Sequence, residues 1–428
     1  MVKRRVELTA LCVVILLYTG LLPVYNRNPF SCILNEQSIT SISGTVVSSP
    51  VKTSSGKSYS VLLAVTEASS NKTRAACSGN VTLYLPAADV EALYPGKLYS
   101  SAKSGEKKLL IEEGANLSVE VDFSGFIDGD ALSLLAGNLN RPAFSVKRIT
   151  QCMWSDGLRG SLSYLRAYLR LQLKRLLAAW GAAGGLLLAL LCGSREYTES
   201  AVSESFKNAG LSHILALSGM HLSLFAGLSE KSAGKLAGKR FSPYLSLSSA
   251  FLFVWFAGFS PSLRRALICM CISCCASIFS FRTTPFKTLS LAFIIQLVAT
   301  PQDVGNLAFM LSYLALCGVY AGNYLLSPYF SRIVPVRVSS ALAASLGAQI
   351  ATFPVSAVAF GTVVPAAVIA SAVVSPIASV FVTSGIVAIA FALSMPFLLQ
   401  PVGCIINMLY NVLSSAVRFF AGFPRMRI

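Results

Sequence analysis

The sequence predicts a polytopic α-helical membrane protein that carries an N-terminal small extracytoplasmic β-domain of OB-like type, and three observations predict it. Of its 428 residues, 54% are hydrophobic and only 12% charged, where soluble domains carry about 25% charged residues. The apolar residues gather into runs near the ~20 residues that a membrane-spanning helix needs. Such runs lie near 8–26, 176–193, 208–228, 244–260, 266–281, 288–300, 307–326 and 339–360, and 363–421 is apolar nearly throughout. Between the first two runs, residues 38–125 alternate apolar and polar positions instead.

The chain begins with Lys3, Arg4 and Arg5 and an apolar stretch ending near Tyr25, a signal-like pattern with no clean small-x-small cleavage site. Residues 1–26 are therefore expected to be a retained membrane anchor with a cytoplasmic N-terminus, which sets residues 27–150 outside. The β-domain is read from Ser43-Gly44-Thr45-Val46-Val47, Tyr59-Ser60-Val61-Leu62-Leu63 and Asn80-Val81-Thr82-Leu83-Tyr84-Leu85, period-two segments set between turns such as Tyr94-Pro95-Gly96-Lys97. About five or six short strands suit an OB-type barrel, and a small sandwich fits the same pattern. Cys32, Cys77 and Cys152 fall in this domain, and an oxidising compartment would let one pair form a disulfide. Spacing does not choose the pair.

Residues 151–178 are expected to hold an amphipathic interfacial helix. Leu158, Leu162, Leu165, Leu169, Leu173 and Leu176 fall on one stripe at 100° per residue, beside Arg159, Arg166, Arg170 and Lys174. The expected pose sets the leucines in the acyl region and the arginines among phosphates; capture of nucleic acid by those arginines is the rival. Residues 179–428 form the polytopic domain.

Charge is distributed unevenly. The net charge is +17, yet residues 27–150 hold 12 Lys/Arg against 11 Asp/Glu, whereas 194–428 hold 15 against 5. Positive charge in the membrane part suits a polyanionic partner, and it also follows from topogenesis alone. If 176–193 and 208–228 both cross, the basic loop Glu230–Arg240 lands outside against the positive-inside tendency. The segment 208–228 is the better candidate for a broken or re-entrant piece, because it holds an internal Ser218-Gly219 and both histidines of the chain, His213 and His221. Eight residues of helix span only about 12 Å, so at least one imidazole is expected at depth, where an ionisable group needs partners or water. Cavity-lining and packing fit that pattern equally. Cys271, Cys274 and Cys275 have apolar neighbours and no nearby histidine, which reads as helix packing rather than a metal site.

One ordered set of motifs is specific. Gly185 to Gly193, then Gly210-Leu211-Ser212-His213-Ile214-Leu215-Ala216-Leu217-Ser218-Gly219-Met220-His221, resembles the signature of the ComEC family of competence proteins. Ser260-Pro261-Ser262-Leu263-Arg264-Arg265-Ala266, Phe281-Arg282, Ala308 to Ala315, Gln349 to Pro354 and Ala370 to Pro376 are similar to later elements of that family, in the same order over about 190 residues. Ala308, Met310, Ser371 and Thr300 depart from the family's usual residues.

The resemblance implies a channel for single-stranded DNA across the cytoplasmic membrane during natural transformation. On it, His213, Ser218, Gly219, His221, Arg264, Arg265, Arg282 and Gln349 are the candidates for the DNA path. Arg332 and Arg337 would add charge at span ends, and Phe251, Phe253, Trp255, Phe256 and Phe259 offer stacking faces or lipid contact. The implied partners are single-stranded DNA, membrane lipids, and separate receptor, nuclease and cytoplasmic motor proteins, with homo-oligomerisation left open. Many family members also carry a metallo-β-lactamase-like domain with a His-rich cluster. Two histidines are too few for one, so a short form without enzymatic activity is expected. No cofactor is expected, since no Walker-type loop appears. The rival functions are a small-solute secondary transporter, weakened because Asp303 is the only acid after Glu230, and a lipid-binding scaffold.

Overall fold

A computed structural model describes Glu7, Thr9, Ala10 and residues 30–53, 55–70, 73–94, 110–127, 141–236 and 242–427. The expected anchor over 1–26 lies outside the described residues but for three of them, as do the turn 95–97 and the end of the basic loop before 242. The chain divides into two compact units, Asn26–Leu188 with Ser194–Tyr197, and Met1–Tyr25 with Ala189–Gly193 and Thr198–Ile428.

The first unit is built on seven strands: β1 (Ser41–Val46), β2 (Val51–Lys52), β3 (Ser58–Ser70), β4 (Thr73–Ala76), β5 (Asn80–Pro86), β6 (Ala115–Ile127) and β7 (Arg141–Trp154). β1 pairs with β3, β3 with β5, β5 with β7 in parallel, β7 with β6, and β6 returns to β1. That ring of five long strands is closed, so the domain is an OB-type barrel and not the sandwich that the strand pattern also allowed. Alternation fills it: Ile42, Val46, Tyr59, Val61, Leu63, Val81, Leu83, Leu117, Val119 and Phe144 point inward and are almost wholly buried. Gly44 sits at a bulge between β1 and β3, where a Cβ would run into the backbone carbonyl of Ala64. Closure of the barrel at that point needs glycine. Cys32 is bonded to Cys77, and Cys152 remains a free, half-buried thiol. This resolves the pairing that spacing left open.

A short helix, α1 (Ala87–Glu91), follows β5, and α2 (Leu158–Ala178) follows β7. The stripes of α2 separate as the sequence suggests, but their destinations differ from the expected pose. Leu158, Leu162, Leu165 and Leu169 are exposed, while Arg166, Arg170, Lys174 and Arg175 are buried within the unit. Arg166 pairs with Glu113 at 2.9 Å, and Lys174 lies 3.3 Å from Glu112 and 3.1 Å from Glu196. Arg170 is 3.6 Å from Glu112, and Arg175 donates to the Leu93 carbonyl. Of the four cations expected among phosphates, only Arg159 is exposed; the other three are committed to carboxylates. Burial by itself would raise the Glu112 carboxyl, yet Arg170 and Lys174 hold it down to about 2. Glu196 shifts the other way, pushed up by its burial against the pull of Lys174.

The second unit is helical. α3 (Gly181–Cys192), whose residues to Leu188 belong to the first unit, begins at a Gly181 with φ of 60° and has 12 residues, about 18 Å of helix. Then come α4 (Ser200–Asn208), α5 (Ser212–Leu215), α6 (Gly219–Leu236), α7 (Ser242–Ala257), α8 (Pro261–Ile278), α9 (Pro285–Ala299), α10 (Leu307–Leu325), α11 (Ser327–Phe330), α12 (Val336–Phe360), α13 (Ala367–Ser394) and α14 (Leu399–Ala421). Among the described residues, α8, α10, α12, α13 and α14 are long and apolar enough to cross a membrane, and α3, α7 and α9 are shorter apolar helices. The protein is thus a polytopic helical membrane protein with an N-terminal β-domain. α10 and α12 meet backbone to backbone: Gly318 and Gly322 on one face Gly347 and Ala343 on the other, where a Cβ on any of the three glycines would strike the backbone of the opposite helix.

Candidate functional site

The candidate residues cluster where the chain breaks between α5 and α6. Ala216 is extended, with φ −78° and ψ 141°, so the apolar run 208–228 is two helices and not one. The restart at Gly219 is held by a reciprocal cap. The Ser218 N–H donates to His221 Nδ1 at 3.2 Å, the Ser218 hydroxyl lies 3.2 Å from the same nitrogen, and the Ser218 carbonyl accepts from the His221 N–H. The back-reaching half is that of a capping box, with histidine in place of the usual acid, while the His221 N–H goes to the Ser218 carbonyl and not to its hydroxyl. Because Nδ1 accepts a backbone N–H, the ring proton sits on Nε2. Nε2 is buried and has no hydrogen-bond partner among the described residues, and His221 is 1% exposed.

Gly219 abuts Arg265. A Cβ on Gly219 would stand 2.8 Å from Arg265 Nη2 and 3.1 Å from the Ala266 Cβ. Arg265 projects from the first turns of α8, whose start follows from its sequence: Ser260 caps it by accepting from the Leu263 N–H, and Pro261 fills the first helical position, where no N–H is missed. The guanidinium is 7% exposed and donates from Nη1 to the Ser312 carbonyl of α10 at 2.9 Å. Its Nε has no partner.

The adjacent Arg264 has a different fate. Nη1 contacts both carboxylate oxygens of Asp303, at 3.1 and 2.9 Å. Asp303 also accepts from Gln296 at 3.0 Å and from Thr300 at 2.9 Å, and the Tyr313 hydroxyl donates to Gln296 at 2.9 Å. Gln296 is wholly buried. Arg264 thus belongs to a neutralised cluster that ties α8, α9 and α10 together through the turn Pro301–Gly305.

The structure therefore brings Ser218, Gly219, His221 and Arg265 to one junction and sets the others apart. His213 is exposed on α5. Arg282 is exposed beyond the far end of α8, whose stretch from Arg265 to Ile278 alone spans about 20 Å. Gln349 is half-buried on α12, and its side chain makes no hydrogen bond to the junction. Phe251 is exposed, whereas Phe253 is buried against Phe225, with ring centroids 5.2 Å apart. Cys271 and Cys275 line an open apolar groove of about 590 Å³ with Phe251, Leu267, Leu291 and Ile295. Among the described residues no group of three His, Cys, Asp or Glu side chains is placed to hold a metal ion. Sequence reading missed Asp303 as the partner of Arg264, although a sole acid in a basic stretch was the available signal. The Ser312 carbonyl left no signal, since every residue has one.

Residues 190–428, more than half of the chain, match the family described as Competence protein. The chain belongs to the competence protein family. All eight candidate residues lie inside the matched region, and the barrel lies outside it. Over 213 residues the chain is 24% identical to ComE operon protein 3 of Bacillus subtilis (strain 168), a match covering 50% of this chain and 26% of that relative. The shared part is thus about a quarter of the relative's length. No solved structure matches. The junction of α6 with α8 is accordingly a feature of the family part of this competence protein, not of its β-domain.

Proposed function

We propose that this competence protein passes DNA inward across the cytoplasmic membrane as a single strand, along a path that runs by the break between α5 and α6. The observation that carries this reading is Arg265, a buried arginine with no carboxylate partner among the described residues, beside an interrupted helix, inside the region matched to the competence family. A polyanion needs positive charge along its path, and Arg265 is available for it while Arg264 is not. The bonded Cys32–Cys77 pair supports an oxidising, extracytoplasmic setting for the barrel. The exposed leucines of α2 support contact with the acyl region of the bilayer. In this reading the chain transports without cleaving, and receptor, nuclease and motor are separate proteins.

Ion-coupled solute transport is less well supported. Such coupling draws on intramembrane carboxylates, and Asp303, the one acid after Glu230, is consumed by Arg264, Gln296 and Thr300. The test is import of radiolabelled DNA by cells lacking the chain. Import should fall to background and return with the wild-type chain. Undiminished import in the deletion strain overturns the reading.

A further inference from the structure

We propose that Arg265 and the first turn of α6 form a binding site for a phosphate group, taken in turn by the phosphodiesters of the passing strand; the identity of that phosphate rests on the transport reading above. The argument begins from charge. The start of an 18-residue helix carries about half a positive charge, and here a guanidinium lies directly against its first residue. Arg265 is more than nine-tenths buried, yet its one hydrogen bond goes to a neutral carbonyl, its Nε is unpartnered, and the single acid of 231–428 already serves Arg264. Two positive poles are thus held together in a buried place with no carboxylate beside them among the described residues. Removing a charge from water without a partner is unfavourable, and an anion at this point relieves both poles at once.

The donor set suits phosphate. A guanidinium presents its N–H groups as a planar fork that fits two phosphate oxygens. Beside it, the Gly219 and Met220 N–H groups have no acceptor within their own helix, as at any helix start. The Ser218–His221 cap holds that turn open by satisfying the Ser218 N–H and carbonyl. Gly219 has a reason in the same geometry, because a Cβ there would stand 2.8 Å from Nη2 and push the guanidinium away.

The test uses the full chain in nanodiscs of neutral phosphatidylcholine, titrated with a fluorescent oligo-dT over a salt series. Arg265→Gln should weaken binding about tenfold and flatten the slope of log K against log salt by about 0.7, the value of one phosphate contact on a single strand. Gly219→Ala, which changes no charge and suits a first helical turn, should weaken binding by displacing the guanidinium; it carries the test if Arg265→Gln does not fold. Arg425→Gln, an exposed cation at the end of the chain, should leave the slope unchanged. Wild-type affinity and slope in both Arg265→Gln and Gly219→Ala overturn the site while leaving transport intact.

A wild-type chain that binds no oligo-dT, together with undiminished DNA import in the deletion strain, overturns the transport reading instead. Inorganic phosphate then decides the site by itself. A phosphate-dependent rise in melting temperature that Arg265→Gln abolishes keeps it, and no rise overturns it. Stabilisation by phosphatidylglycerol nanodiscs, with none from oligo-dT or phosphate, assigns Arg265 to lipid and overturns the proposal.

Discussion

Helices α2 and α8 both bury cations, and they satisfy them differently. On α2, Arg166, Arg170 and Lys174 meet Glu113, Glu112 and Glu196, so three of its four buried cations face three carboxylates within one unit, and the fourth, Arg175, donates to the Leu93 carbonyl. On α8, two adjacent arginines share one acid: Arg264 takes Asp303, and Arg265 is left with a carbonyl. A saturated cluster locks elements together and has nothing left to offer a ligand. An unsaturated one retains a charge that a ligand can neutralise. The contrast reverses what composition alone suggests, since the more basic helix, α2, is the one in which three of four buried cations are spent on carboxylates.

The largest way to break this comparison is to unbalance the saturated cluster. Glu112→Gln takes from Arg170 and Lys174 the carboxylate they share and leaves Lys174 with Glu196, and loss of one partner from a buried ion pair costs about 3–5 kcal/mol. The expected outcome is faster hydrogen exchange across β6, β7 and α2, with exchange in α8–α14 unchanged. The second is a double-mutant cycle on Arg264→Gln and Asp303→Asn, read by thermal unfolding in detergent. A structural pair should show a coupling of about 0.5–3 kcal/mol, and additive effects would return Arg264 to the set of free cations. The third is Ser218→Ala. It removes the hydroxyl beside His221 Nδ1 and leaves the two backbone bonds of the cap, so it should cost about 0.5–1.5 kcal/mol, the worth of one hydrogen bond, and raise exchange in the first turns of α6 without affecting the barrel.

Acid gives the mildest test. Glu112 is held below the ordinary glutamate range, so its contribution is complete above about pH 4.3 and is lost as pH falls through about 2. Glu196 is displaced upward and contributes with the opposite sign, since acid that protonates it removes an unfavourable buried charge. Barrel protection should therefore persist on moderate acidification and fail only towards about pH 2; loss of protection near neutral pH would contradict the cluster.

Much of this was legible in the sequence because it depends on local pattern. Period-two alternation determined the barrel strands, and apolar runs near the thickness of a bilayer determined the longer helices. Ser218-Gly219 inside an apolar run marked the break, and Ser260-Pro261 marked the start of α8. The ordered motifs from Gly185 to Pro376 pointed to the family that residues 190–428 match. Tertiary structure decided matters of long-range pairing. Closure of β6 onto β1 chose the barrel over the sandwich, and Cys77 was chosen for Cys32 over Cys152. The arginine stripe of α2 found carboxylates up to 62 residues away instead of phosphates. Arg264 and Arg265 are adjacent and alike in sequence, but side chains one position apart on a helix point about 100° apart. One met Asp303 and the other met Gly219, and that difference in direction separates a structural ion pair from the proposed phosphate site.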